Sequence, residues 1–280
     1  MATAELAPDI AGALQWARTC IAPVDARILL RHVLQCPPAR LAAHPEARLD
    51  PPDWVEFRTL VERRAAGEPV AYLTGEREFY GRPFLVTPAV LIPRADTELL
   101  VELALAQFGD KPRSRVLDLG TGSGALAVTL AHELPDAEVT GVDRSREALW
   151  VAMANAARLG ASVSFVLGDW FSGLGEDRYH LIVANPPYVA AGDPHLDEGD
   201  VRFEPATALA SGPQGLDDLA CIAAAAPRHL EPGGWLFMEH GYDQAMAVRG
   251  LLTDAGLCAI ATWRDLAGIE RVSGGQWSGR

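Results

Sequence analysis

This sequence has no basic excess, no metal-like cysteine spacing and no apolar run long enough for a bilayer. Its 280 residues hold 24 Lys and Arg against 37 Asp and Glu, a formal charge of −13. Proteins that grip a polyanion through their overall field neutralise phosphates with clustered basic side chains, so that class is disfavoured, and only a local basic patch stays open. The four cysteines, Cys20, Cys36, Cys221 and Cys258, form no CxxC pair. That excludes a disulfide framework and a cysteine-built metal centre, and fits free thiols in a reducing compartment. The N-terminus lacks the basic and apolar regions of a secretory leader. The most apolar stretch, residues 219–227, is half a bilayer span at most and ends at Pro227-Arg228. A cytoplasmic location is expected. Internal repeats and low-complexity segments are absent, and with 49% hydrophobic and 22% charged residues the chain is too apolar to be disordered.

What is present divides in two, and the length allows either one large domain or two ordinary ones. Residues 1–75 carry 8 basic and 9 acidic groups, and residues 76–280 carry 16 and 28, so the charges are −1 and −12. The acidity belongs to the second part. In the first, Ile10, Leu14 and Ala17 share a helix face, and Ala26, Leu29, Leu30, Val33 and Leu34 follow amphipathic spacing until Pro37-Pro38. After Pro51-Pro52, Asp53 is the expected N-cap of a helix carrying Trp54, Phe57, Leu60 and Val61, closed by Gly67 and Pro69. Residues 1–75 are therefore expected to form a helical bundle. Residues 76–92 place Phe79-Tyr80 and Phe84, Val86 and Val90 around Gly81, which predicts a β-hairpin connector.

Residues 93–280 form the third segment. Asp96 precedes an apolar helical run over 99–105. From Arg115 strands at 116–117, 139–142, 163–167, 181–184 and 235–238 alternate with helices, and a last strand pair lies near 258–263 and 271–272. Such alternation predicts an α/β fold with a mostly parallel, doubly wound sheet, whose final pair includes an antiparallel edge. Ligands of these sheets bind beyond the carboxyl ends of the strands, so chemistry is sought just after each strand.

The first strand runs into Gly120-Thr121-Gly122-Ser123-Gly124. Glycine permits a tight turn and close approach of a ligand to backbone, although GxGxG is not the dinucleotide GxGxxG and a purely structural turn would fit it as well. Asp143, 19 residues beyond Gly124, ends the next strand, where a carboxylate can accept from both ribose hydroxyls. The third strand leads into Asp169-Trp170, which suit an adenine amine and a ring face, or equally a helix cap beside a core tryptophan. The fourth ends in Asn185-Pro186-Pro187-Tyr188. Two prolines stiffen the turn and withhold two N–H donors, so the Asn oxygen and a proline carbonyl are presented to an NH2 group, with Tyr188 able to cover a planar partner. Such an amide nitrogen is a poor nucleophile, and acceptors on both N–H bonds would aim it and favour positive charge in the transition state.

Residues Asp118 to Gly124, Asp143 and the Asn-Pro-Pro-Tyr turn resemble the S-adenosylmethionine-dependent amino methyltransferases with a seven-stranded sheet. Phe79-Tyr80-Gly81, Val90-Leu91-Ile92-Pro93-Arg94-Ala95-Asp96-Thr97-Glu98, Phe203-Glu204-Pro205 and Glu239-His240-Gly241 are similar to the protein-(glutamine-N5) methyltransferases that modify peptide-chain release factors. The similarity spans nearly the whole chain and is weakest over residues 274–280. It implies a Rossmann-like methyltransferase domain at 93–280, a substrate-docking role for residues 1–75 and the glutamine of a release factor's Gly-Gly-Gln loop as substrate, hence a part in translation termination. It also implies that Gly120, Thr121, Gly122, Ser123, Gly124, Asp143, Asp169, Trp170 and Asn185 hold S-adenosylmethionine, released as S-adenosylhomocysteine. Asn185, Pro186, Pro187 and Tyr188 would hold the substrate, with Asn185, Pro186 and Tyr188 catalytic and no metal required. The roles of Glu204 and His240 and the identity of a general base stay open. An adenine-N6 or cytosine-N4 nucleic-acid methyltransferase poses the same NH2 problem, but it needs phosphate contacts that a −12 catalytic part does not offer. A nicotinamide oxidoreductase has the wrong loop spacing and no use for Asn-Pro-Pro-Tyr, and a binding module without turnover would not need that turn.

Overall fold

The computed structural model describes residues 7–108 and 113–279. The leader reading rests partly on residues 1–6, and Arg280 closes the weakly matched C-terminal stretch; both lie outside the described residues. Two compact units are present, Met1–Gly75 and Glu76–Arg280.

The first unit contains α1 (Ile10–Ala17), α2 (Pro23–Leu34), α3 (Pro38–Ala43), α4 (Pro51–Ala65) and α5 (Val70–Thr74). Asp9 caps α1, its Oδ1 accepting from the Gly12 N–H at 2.8 Å. The α1 and α2 stripes meet around Phe57, Leu60 and Val61 of α4, all buried, and Trp16 meets Trp54 edge to face at 5.1 Å. Helix α4 starts two residues before the expected cap, with Asp50 at the N-cap position and Pro51-Pro52 opening the helix. Proline has a helix-compatible φ and no N–H to leave unpaired, so it begins the helix that the sequence reading placed after it. Pro38 opens α3 in the same way.

The second unit opens with a hairpin, β1 (Glu76–Phe79) and β2 (Arg82–Leu85), paired antiparallel. Tyr80 and Gly81 both have positive φ, +50° and +74°, the geometry of a two-residue turn whose twist matches the strands. Phe79 and Phe84 are buried in the core of this unit. After α6 (Glu98–Phe108) come β3 (Arg115–Leu119), α7 (Ala125–Glu133), β4 (Glu138–Asp143), α8 (Arg146–Leu159), β5 (Val163–Leu167) and β6 (Tyr179–Ala184). They are followed by α9 (Asp217–His229), β7 (Leu230–Glu239), α10 (Ala245–Asp254), β8 (Cys258–Arg264) and β9 (Glu270–Gln276). The sheet order is β5-β4-β3-β6-β7-β9-β8. All neighbours through β7 are parallel, and β9 runs antiparallel to both β7 and β8.

The seven-stranded doubly wound sheet is as the alternation predicts. Val116, Leu181, Val183 and Phe237 face α6 and α7, whereas Leu117, Leu119, Ile182, Ala184, Leu236 and Met238 face α9 and α10. Successive residues of a strand point to opposite faces, and both faces are covered by helices, so these strands read as continuous apolar runs. The final pair does include an antiparallel edge: β8 is the edge strand and pairs antiparallel with β9, which lies one position in. Gly274 accounts for its fit, because a Cβ there would come within 2.3 Å of the Phe237 ring.

One buried side chain ties the hairpin to the sheet. Asn155 of α8 is fully buried; its Oδ1 accepts from the Leu85 N–H at 2.7 Å, and its Nδ2 donates to the Leu85 carbonyl at 2.9 Å and to the Ser123 carbonyl at 2.8 Å. Removing one partner of a buried bond strands the other at about 1–3 kcal/mol. Asn155→Ala should therefore lower unfolding stability by about 3 kcal/mol in urea denaturation. A loss near zero would show that these bonds do not hold the hairpin.

Candidate active site

Strand order reverses at β3, which has β4 on one side and β6 on the other. The crevice for a ligand lies at such a reversal, beyond the carboxyl ends. There the loop after β3 and the turn after β6 border one cavity of about 330 Å³, within the range of small-molecule sites.

The glycine loop is shaped by its backbone. Gly120, Gly122 and Gly124 have φ of +71°, +54° and +81°. The Gly120 and Thr121 N–H groups both donate to the Val142 carbonyl at 2.9 Å. A Cβ on Gly120 would lie 3.3 Å from the Trp170 ring, so this glycine lets the indole close over the loop. A Cβ on Gly124 would lie 3.2 Å from Ala152 of α8, so that glycine serves helix packing. Beneath the loop, Asp118 is fully buried; its Oδ2 accepts from the Thr121 hydroxyl at 2.7 Å and the Ala127 N–H at 3.2 Å, and its Oδ1 has no partner among the described residues. Burial pushes its carboxyl up to about 7. Asp118 joins the loop to the start of α7, and the signal for it was a lone carboxylate inside the apolar run Val116-Leu117-Asp118-Leu119.

Asp143 sits at the cavity with one oxygen accepting from the Gly122 N–H at 2.9 Å and the other from the Ser145 N–H at 2.8 Å. Each oxygen keeps a second lone pair for a ligand hydroxyl. Asp169 is exposed at the rim, and Trp170, with φ +50°, donates from Nε1 to Asp218 of α9 at 3.1 Å. Thr121, Ser123, Asn185 and Pro187 complete the predicted residues that line the cavity. Gly124, Pro186 and Tyr188 do not line it.

The turn after β6 is held from behind. Tyr188 donates its hydroxyl to Glu239 Oε1 at 3.2 Å, and its carbonyl accepts from Gln244 Nε2 at 2.9 Å. Burial and then the Glu239 charge push the Tyr188 phenol up, so it stays protonated. Asn185 Nδ2 donates to the Thr97 hydroxyl oxygen at 3.1 Å. The Asn185 Oδ1 and the Pro186 carbonyl are left without a hydrogen-bond partner among the described residues.

Several residues that the sequence reading left unassigned are placed by these contacts. Glu204 has no exposed side-chain surface; it accepts from the Ile92 N–H at 3.0 Å and pairs with Arg94, fixing the segment that enters the cavity wall. Glu98 accepts from the Tyr80 N–H at 2.9 Å. His240 is turned away from the cavity: Nδ1 donates to the Gly241 carbonyl and Nε2 accepts from Ser273, each at 2.9 Å. Burial lowers its pKa, so it is a neutral strut for the loop after β7. Among the described residues no group of three His, Cys, Asp or Glu side chains is arranged to hold a metal, and no helix is long and apolar enough to cross a membrane.

Known proteins resemble this chain. The PrmC N-terminal domain profile matches residues 10–75, and the methyltransferase small domain profile matches residues 95–208. A release factor glutamine methyltransferase of Bordetella pertussis is 54% identical over 253 residues, covering 90% of this chain and 94% of the relative. One from Vibrio cholerae is 49% identical over 91% of this chain and 89% of its own length. Among solved structures, a Pyrococcus furiosus methyltransferase aligns with TM-score 0.54 and 18% identity over 80% of this chain and 98% of its own. A Thermus thermophilus 16S rRNA N2 G1207 methyltransferase, solved with AdoMet and guanosine, aligns with TM-score 0.51 and 24% identity over 72% of this chain and 49% of its own. At such identities the likeness of these two is one of fold.

Proposed function

The chain belongs to the release factor glutamine methyltransferases, and from that membership we propose that it transfers a methyl group from S-adenosylmethionine to the side-chain amide nitrogen of the glutamine in a release factor's Gly-Gly-Gln loop. The observation that carries this reading is the meeting of the Gly120-to-Ser123 loop, Asp143 and Asn185 on one cavity.

The cavity fits the cofactor by the shape of its walls. Gly120 lets the Trp170 ring close over the loop, Asp143 has lone pairs free for ribose hydroxyls, and Asp169 stands exposed at the rim for an exocyclic amine. When bound, S-adenosylmethionine supplies a methyl group on a cationic sulfonium. The protein's own task is to place the acceptor nitrogen. Asn185 Oδ1 and the Pro186 carbonyl, both without a hydrogen-bond partner among the described residues, accept the two N–H bonds of the glutamine amide. They hold the nitrogen in line and favour the positive charge that develops on it as its delocalised lone pair is drawn into the new bond, and the methylated amide then gives up one N–H proton to solvent. Positioning supplies most of the catalysis, and no side chain has to form a covalent intermediate. Tyr188 acts from behind the turn, its phenol tied to Glu239.

Residues 1–75 are proposed to dock the protein substrate; their own apolar core and their match to the PrmC N-terminal profile support this. The proposed partner is a release factor in the cytoplasm, with no nucleic-acid or membrane partner. The −12 charge of residues 76–280 supports the amide over a base amine. Incubation with labelled S-adenosylmethionine and either release factor or DNA should label only the loop glutamine of the release factor, located by peptide mass spectrometry. Label on DNA, or none on that glutamine, overturns the assignment.

A further inference from the structure

A chain reversal on a protein surface ordinarily gives its polar side chains to water and keeps its large apolar ones inside. The turn between β8 and β9 does the opposite. The Asp265 side chain is 3% exposed, whereas Leu266, the next residue, is exposed over its whole surface. Asp265 builds the turn from within: its Oδ1 accepts from the Ala267 and Ile269 N–H groups, each at 2.9 Å, and its Oδ2 from Arg271 Nε at 3.3 Å. Arg264 Nη1 donates to the Gly268 carbonyl at 2.7 Å across the same turn. A plain connector needs none of these bonds. They hold the tip in one shape with Leu266 in solvent, so its ordering cost is met before any partner arrives.

The tip stands on the reactive edge of the sheet. Strand β8 runs in the same direction as β6 and β7, so residues 265–269 emerge at the carboxyl edge where Asn185-Pro186-Pro187-Tyr188 follows β6. Between the two comes the segment after β7, which with the first turn of α10 exposes Tyr242 and Met246 over 73% and 79% of their surfaces. Gln244, midway between them in sequence, fastens that segment to the reactive turn. Its Nε2 donates to the carbonyls of Tyr188 at 2.9 Å, Gln214 at 3.2 Å and Gly215 at 3.3 Å, and its Oε1 accepts from the Gly241 N–H at 2.8 Å. Adjacent strands are about 4.8 Å apart, and the order β6-β7-β9-β8 starts this apolar row one strand from the turn and ends it three strands away. The other large apolar side chains exposed on this unit's helices and strands, Trp150, Met153 and Leu167, belong to α8 and β5, beyond β3 on the other side of β6.

We propose that Tyr242, Met246 and Leu266 form a docking shelf for the release-factor domain that carries the glutamine loop. This rests on the reading of the site as one that takes that glutamine. The occupant follows from position. The segments after β3, β4 and β5 wall the cofactor cavity, so a protein whose loop reaches the turn after β6 rests its body over the strands on the other side, β7, β9 and β8. Several large apolar side chains exposed together beside a site mark an interaction surface, and tyrosine and methionine are enriched in such surfaces. The complementary patch on the release factor is an apolar strip beside its loop. The shelf adds affinity for the whole protein substrate and takes no part in the transfer.

The test uses the full chain and an intact release factor. Leu266→Ser and Tyr242→Ser, on separate loops, each remove a side chain that lies mostly in solvent. Each should raise KM for the release factor by about tenfold, the scale of one large apolar side chain lost from an interface. Both should leave kcat, and S-adenosylhomocysteine affinity measured by calorimetry, unchanged, and Leu266→Met should keep the original KM. Trp150→Ser, on α8, is the control and should also keep it. An unchanged KM in either serine variant of the shelf, while the unaltered protein methylates the release factor, overturns the shelf and leaves the reading of the site standing. So does an equal rise in Trp150→Ser, or a loss of cofactor affinity that accompanies the rise in KM. Sedimentation of the protein alone tests a second copy as occupant: a dimer that Leu266→Ser dissociates also overturns the proposal. If the unaltered protein leaves the release factor unmethylated, the reading of the site falls and the shelf falls with it.

Discussion

Asn185→Ala should retain S-adenosylmethionine binding and lose methyl transfer by about a hundredfold or more, the scale seen when one preorganised group at a developing charge is removed. The loss should fall mainly on kcat. Asn185 contributes one acceptor at the end of β6, and the walls formed by the glycine loop, Asp143 and Trp170 do not depend on it. The turn itself should survive, because it is held by contacts of other residues: Tyr188 to Glu239, and Gln244 to the Tyr188 carbonyl. Single-turnover transfer measured beside cofactor titration calorimetry separates the two effects. A variant that transfers at the original rate would show that the turn is structural only. One that loses cofactor affinity in proportion to rate would move Asn185 from the acceptor side of the reaction to the cofactor side.

Gly120→Val should produce the complementary defect, with cofactor affinity reduced by about a hundredfold while the sheet stays folded. Two costs combine. A β-branched residue at φ +71° is strained by roughly 1–2 kcal/mol or more. Its Cβ would also stand 3.3 Å from the Trp170 ring, and the added methyls would push the indole from the cavity and from Asp218. Gly122→Ala is the internal control. Its φ is +54°, but its Cβ would meet nothing closer than 3.9 Å, so only backbone strain remains and the loss of affinity should be distinctly smaller. Tryptophan fluorescence during S-adenosylmethionine titration reads both variants. Equal losses at the two positions would mean that the contact with Trp170 is irrelevant to binding.

The parts of this molecule that were legible in its sequence are those written locally. Strand and helix alternation appears as short apolar runs separated by amphipathic ones, and the loop and the Asn-Pro-Pro-Tyr turn carry their chemistry in consecutive residues. Helix α4 was misplaced at its start by three residues, its cap being Asp50 and not Asp53, because proline acts both as a breaker and as a first helical residue, and the pattern alone does not say which. The supports of the site were illegible for a different reason. Thr97 meets Asn185 across 88 positions, Arg94 meets Glu204 across 110 and Asn155 meets Leu85 across 70. Such pairs leave no period and no spacing in the chain. Asn155 did leave a trace, an amide on the inner side of a helix, where a polar group requires a partner. Glu239 and His240 are adjacent in the sequence, and only their surroundings divide them: one engages the turn after β6, and the other braces the loop after β7.

The place of β9 has a consequence for biosynthesis. It enters between β7 and β8 although it is made after both. Until Glu270–Gln276 has left the ribosome, Trp235, Leu236, Phe237 and Met238 form the open border of a nearly finished sheet, with unpaired backbone groups beside two apolar faces. Exposed borders of that kind recruit strands from other chains. Translation that stalls between β8 and β9 therefore yields a sticky nascent chain, and chaperone demand should peak over that interval of synthesis.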